Sequence, residues 1–87
     1  MPSIAKSDAL SRTKLMLHYE RNIPLNQILS ASDLRSDLAM NDTEIGGLER
    51  PIETEYFADQ NTSVTALALR QANTVADLRD VIWDGTP

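Results

Sequence analysis

At 87 residues, with 41% hydrophobic and 24% charged side chains, the chain has the size and composition of one globular domain, not two. Its formal net charge of −5 argues against nucleic acid as a partner, because a polyphosphate is bound by Lys and Arg that displace its counterions. The chain has no cysteine for the disulfide framework of a small secreted fold. It has no apolar run near the roughly 20 residues that cross a bilayer, and MPSIAKSDAL lacks the apolar stretch of a leader. The expectation is a soluble, cytoplasmic protein with no membrane association.

The first helix is expected from Ser7 to about Arg21, with Ser7 as N-cap, Asp8 at the positive end of the macrodipole and Arg21 at the negative end. Ala9, Thr13, Met16 and Leu17 fall on one face. Asn22 suits a left-handed C′ position, Ile23 can fold back on the last turn, and Pro24 stops the helix. Residues 22–40 show no long period, yet Ile23, Leu25, Ile28, Leu29, Leu34 and Leu38 recur too often for a free linker. They predict a packed loop with short helical turns.

A second helix is announced by Asn41 with Glu44 three residues on, a capping-box variant. Ile45, Leu48, Ile52 and Tyr56 form its buried stripe. Gly46 and Gly47 each weaken a helix by about 1 kcal/mol, and Pro51 costs roughly 3 kcal/mol, so a kink or break is expected between Gly47 and Pro51. A polar connection at 58–62 leads to a short helical stretch from Ser63 to Gln71, carrying Val64, Leu67 and Leu69. The last helix is opened by Thr74 and Asp77, lined by Val75, Leu78 and Ile82, and ended by Gly85 and Pro87.

Charge is concentrated in the second helical segment. Asp42, Glu44, Glu49, Glu53, Glu55 and Asp59 stand there against Arg50 alone, which accounts for the whole net charge. Such a surface can steer an encounter with a basic patch, or it can be a solvated helix face. The carboxylates lack the glycine-containing loop and alternating ligands of a calcium site, and no metal site is expected. His18, the single histidine, reads as a surface or boundary residue, and Trp83 and Tyr56 as core or boundary aromatics.

The element order and several motifs resemble the acyl carrier protein family, over nearly all of Ser7 to Trp83. That family has an Asp-Leu-Gly-Leu-Asp-Ser-Leu segment at the end of its long loop, and the matching stretch here runs from Leu34 through Met40 to Thr43. Leu48, Ile52, Glu53, Glu55 and Tyr56 match the family's second helix, and Thr74, Val75, Ala76 and Asp77 its Thr-Val-Gly-Asp opening of the last. The resemblance implies an all-α, small four-helix bundle with a long packed loop after the first helix and a kinked second helix. One carrier-like domain would occupy residues 1–87, with its core at about 7–84.

In the family a phosphopantetheine arm is carried on a serine hydroxyl at the start of the second helix. Counting back from Tyr56, and forward from Asp37 and Leu38, places Asp42 at that position, and a carboxylate cannot form the stable phosphodiester. Thr43 is the substitute acceptor in a shifted alignment; Ser36 lies too early. A fixed charge at a helix N-terminus is favourable by about 0.3–1 kcal/mol and partly imitates the phosphate. The expectation is therefore a non-enzymatic domain without cofactor. It would dock through Asp42, Glu44, Glu49 and Glu53 on a basic patch of an acyl- or peptidyl-biosynthetic enzyme. The alternatives are a genuine carrier modified at Thr43 and a small helical adaptor, monomeric or dimeric through its apolar loop.

Overall fold

The first helix, α1 (Lys6–Arg21), begins one residue before the expected N-cap in the computed structural model, which describes residues 2–87. Ala5 holds the cap position with extended backbone and no side-chain bond. Ser7 is displaced from it because the entry to the helix is fixed further upstream. Ile4 is buried, and its carbonyl accepts a 2.9 Å hydrogen bond from the Trp83 indole N–H. Ala9, Thr13, Met16 and Leu17 are fully buried, and the Thr13 hydroxyl donates to the Ala9 carbonyl at 2.8 Å, so its polar group enters the core satisfied. Asn22 ends the helix in the left-handed conformation (φ 55°), Ile23 packs back on the core, and His18 Nδ1–H donates to its carbonyl at 2.6 Å.

The loop after α1 is packed, with a 3₁₀ turn at Leu25–Gln27. Ile28, Leu34, Leu38 and Met40 are buried, whereas Leu25 and Leu29 are about half exposed (45% and 59%). The loop's backbone is closed by the last helix. Leu34 N–H donates to Asn73 O (2.8 Å), while Val75 and Ala76 N–H donate to Ser32 and Ser30 carbonyls (3.1 and 2.9 Å). These bonds satisfy both the loop carbonyls and the open N-terminus of that helix. Within the loop the Asp33 carboxylate accepts from the N–H groups of Ser36 and Arg35, which holds it below the ordinary carboxylate range.

The acidic segment folds as three pieces. In α2 (Asp42–Gly46) the capping box is complete: Glu44 N–H donates to Asn41 Oδ1 (2.8 Å) and Asn41 N–H to Glu44 Oε1 (2.9 Å). The expected break falls at Gly47 and Leu48, before the single turn α3 (Glu49–Pro51). A wide turn follows at Ile52–Tyr56, closed by Phe57 N–H to Ile52 O at 3.0 Å, five residues apart. The extra residue corrects the expected stripe. Ile45, Leu48 and Ile52 are buried, but Phe57 rather than Tyr56 completes the row, and Phe57 is the largest fully buried side chain. Tyr56 is displaced to the boundary, where its hydroxyl donates to Glu20 (3.2 Å) and burial, then Glu20, raise its pKa to about 12.

A 3₁₀ turn (Ala58–Gln60) leads to α4 (Ala66–Arg70), capped by Thr65 and starting three residues later than expected. Leu69 and Val64 are buried and Leu67 is exposed. The last helix, α5 (Val75–Asp84), carries the expected capping box of Thr74 and Asp77, with Val75, Leu78 and Ile82 fully buried. It packs along α1, and α4 packs on α2. A side chain at Gly85 would meet Ser63 O at 2.2 Å, so this position must lack a Cβ. The described residues form no strand and make a mostly helical molecule of 32 × 24 × 18 Å. We predict that Phe57→Ala destabilises the protein by about 3–5 kcal/mol, whereas Tyr56→Phe costs about 1 kcal/mol or less. Urea denaturation of the two variants checks the order.

Candidate functional site

The carboxylates of residues 42–59 stand on one continuous segment, and they are engaged very unequally. Asp42, the first residue of α2, has a side chain 68% exposed and is held by Arg35, whose Nε and Nη2 lie 2.9 and 2.8 Å from Oδ1. Arg35 also donates to the carbonyls of Ala72 (2.9 Å) and Arg70 (2.7 Å). One guanidinium thus joins the loop, the start of α2 and the link between α4 and α5. Thr43, beside Asp42, is exposed and makes no side-chain hydrogen bond among the described residues; Ser36 lies in the turn capped by Asp33.

Glu44 completes the capping box and pairs with Arg21 at the end of α1. Glu49 and Glu53, expected as docking contacts, both turn to the chain itself. Glu49 Oε2 accepts from Ala66 N–H at 2.9 Å, and Glu53 Oε2 from Val64 N–H at 3.0 Å. Both are half-buried. Two further acids complete the outer surface and were not singled out as docking residues. Glu55 is exposed and forms no ion pair among the described residues. Asp59 makes a two-point bridge to Arg12 (2.6 and 3.1 Å), which also donates to the Tyr56 carbonyl. The separation of 47 residues between Arg12 and Asp59 leaves no local sequence signal for that pair.

The remaining surface offers little reactive chemistry. No group of three or more His, Cys, Asp or Glu among the described residues can hold a metal ion. Trp83 is half-buried at the α1–α5 boundary with the Lys6 ammonium 4.8 Å from its ring centroid. A shallow apolar groove of about 440 Å³ lies between α1 and the loop, lined by Ser11, Lys14, Leu15, Leu25, Ile28 and Leu29. None of the described helices is long and apolar enough to cross a membrane. No family model matches the chain, and no curated protein matches it in sequence.

The Arg12 bridge gives a pH dependence whose sign is fixed. Bonding to Arg12 first, and to Gln60 second, lowers the Asp59 pKa from 3.8 to about 2. A depressed carboxyl contributes stability that is present above its unfolded value and lost as pH falls through the folded one. Wild-type stability should therefore decline between pH 3.8 and about 2 more steeply than that of Asp59→Asn. Urea midpoints of both proteins across that window measure the difference.

Proposed function

We propose that the chain is a non-enzymatic, carrier-like helical domain that docks on a basic patch of a partner enzyme, with an acyl- or peptidyl-biosynthetic enzyme as the expected partner. The observation that carries this reading is the outward carboxylate set of the broken acidic segment. Asp42 and Glu55 are exposed, and Asp59 remains 60% exposed within its bridge. Asp42 is also the residue that two counts along the sequence align with the arm-bearing serine of the carrier family. Arg35 holds its Oδ1, and the side chain stays 68% exposed at the start of α2, where a second cation could share it. Charges of this kind act mainly on encounter rate and orientation and are screened by salt.

Charge reversal separates docking from folding only at acids with no internal backbone bond, so Glu44, Glu49 and Glu53 are poor first choices. The substitution Glu55→Arg, at the exposed acid with no ion pair among the described residues, should weaken the complex several-fold while leaving the urea midpoint nearly unchanged. The readout is titration of the enzyme cross-linked to the wild-type domain and identified by mass spectrometry. Equal affinity of wild type and variant contradicts the docking reading.

Thr43 supports a second reading, a genuine carrier, because its hydroxyl is exposed on the first turn of α2 and free of side-chain bonds among the described residues. Incubation with coenzyme A and a broad-specificity phosphopantetheinyl transferase decides between the two. The docking reading predicts an unchanged intact mass, and a phosphopantetheine adduct lost in Thr43→Ala establishes the carrier.

A further inference from the structure

Three arginines reach α2, and two of them are spent on its acids: Arg35 pairs with Asp42 and Arg21 with Glu44. The third, Arg70 at the end of α4, is exposed and forms no ion pair among the described residues. Its guanidinium lies across Gly46, where a Cβ would meet Arg70 Nε at 2.9 Å and Nη2 at 3.0 Å. The bare glycine therefore makes room for the arginine, although it weakens the helix by about 1 kcal/mol relative to alanine. A guanidinium has five N–H donors. Among the described residues Arg70 uses only Nε, in a long 3.4 Å bond to the Asp42 carbonyl, and leaves both Nη groups without a partner.

That carbonyl belongs to the peptide joining Asp42 to Thr43, so the unused fork sits beside the Thr43 backbone. Thr43 and Gly46 are also three residues apart on α2, a spacing that sets Cβ positions about 5–6 Å from each other. The Thr43 hydroxyl is exposed and makes no side-chain hydrogen bond among the described residues. The amides of α2 are not the attraction here, since Glu44 N–H is taken by Asn41 Oδ1. The flanking acids are matched by Arg35 and Arg21, which leaves Arg70 as one positive charge in excess around an open hydroxyl. A phosphate monoester fits that excess, because it carries about −1.5 to −2 charge at pH 7 and is bound by an arginine fork through two parallel N–H···O bonds. We infer that Thr43 is a phosphorylation site whose monoester is held by Arg70. In the transfer Thr43 Oγ bonds to the γ-phosphorus of a nucleoside triphosphate, the bond to the bridging oxygen breaks, and nucleoside diphosphate leaves with the electron pair. The hydroxyl proton passes to a base of the transferring kinase. Asp42 and Glu44 beside the hydroxyl suit a kinase that selects acidic surroundings.

A full-length chain synthesised with a phosphate on the Thr43 hydroxyl tests the clamp by phosphorus NMR. The second ionisation of a phosphothreonine ordinarily falls at about 6, and a paired guanidinium favours the dianion. Its midpoint should therefore lie about half a pH unit or more below that of the same phosphorylated chain with Arg70→Gln. Gly46→Ala should raise the midpoint like Arg70→Gln, because its Cβ displaces the guanidinium while alanine suits the helix better than glycine. Equal midpoints in the three chains overturn the clamp. The acceptor is read by intact mass after the unmodified protein is incubated with adenosine triphosphate and an acid-directed serine/threonine kinase. Uptake of one phosphate that is lost in Thr43→Ala supports the site. No uptake, or uptake that persists in Thr43→Ala, overturns it. Neither readout involves the partner enzyme, so failure here leaves the docking reading to its own test at Glu55.

Discussion

Pro51 has no backbone N–H to donate, and it sits between the break in the acidic segment and the wide turn that sets which aromatic enters the core. A proline inside a helix deprives the carbonyl four residues back of its partner and crowds it sterically. Here that carbonyl belongs to Gly47, where the regular helix has already stopped. The chain resumes through α3 into a wide turn that spans five residues instead of four. One added residue in the turn brings Phe57 to the core and leaves Tyr56 at the boundary. Glu49 and Glu53, two residues to either side of the proline, accept from the Ala66 and Val64 amides.

The concentration of charge in this segment is as much an internal fastening as a surface feature. Three arginines from outside it each take one of its acids: Arg12 with Asp59, Arg21 with Glu44, and Arg35 with Asp42. These pairs tie α1 and the loop to the segment from both ends. Exposed ion pairs of this kind contribute little individually, commonly below about 1 kcal/mol. Their effect is therefore one of register more than of strength. Arg35 is the exception in reach, since it also satisfies two carbonyls at the junction of α4 and α5. Once these acids are placed, the outward charge is narrower than composition implies: Asp42 and Asp59 are exposed but ion-paired, and Glu55 is the exposed acid of the segment with no ion pair among the described residues.

What was legible in the sequence was local. Both capping boxes, the left-handed Asn22, the inner face of α1 and the break after Gly46 follow from residues within one or two turns of each other. Ser7 failed as a cap because a contact 79 residues away, from Trp83 to Ile4, fixes where the helix begins. The buried stripe ends on Phe57 and not on Tyr56 because a period of 3.6 does not hold through a stretch whose actual step is wider, and Tyr56 is a boundary aromatic. The engagement of Glu49 and Glu53 was invisible for a related reason. Their acceptor roles depend on backbone amides 17 and 11 residues downstream, and no pattern in the acidic run marks which carboxylate turns inward.

The functional reading rests on this division between acids that fasten the fold and acids that face solvent, and the division depends on the path of the chain through residues 51–57. Couplings transmitted through hydrogen bonds in an isotope-labelled sample report that path directly. A coupling between the Phe57 amide and the Ile52 carbonyl is the result expected from the wide turn. A coupling from Phe57 to the carbonyl of Glu53, as in an uninterrupted α-helix, would return Tyr56 to the core stripe and contradict the arrangement on which the outward acidic surface depends.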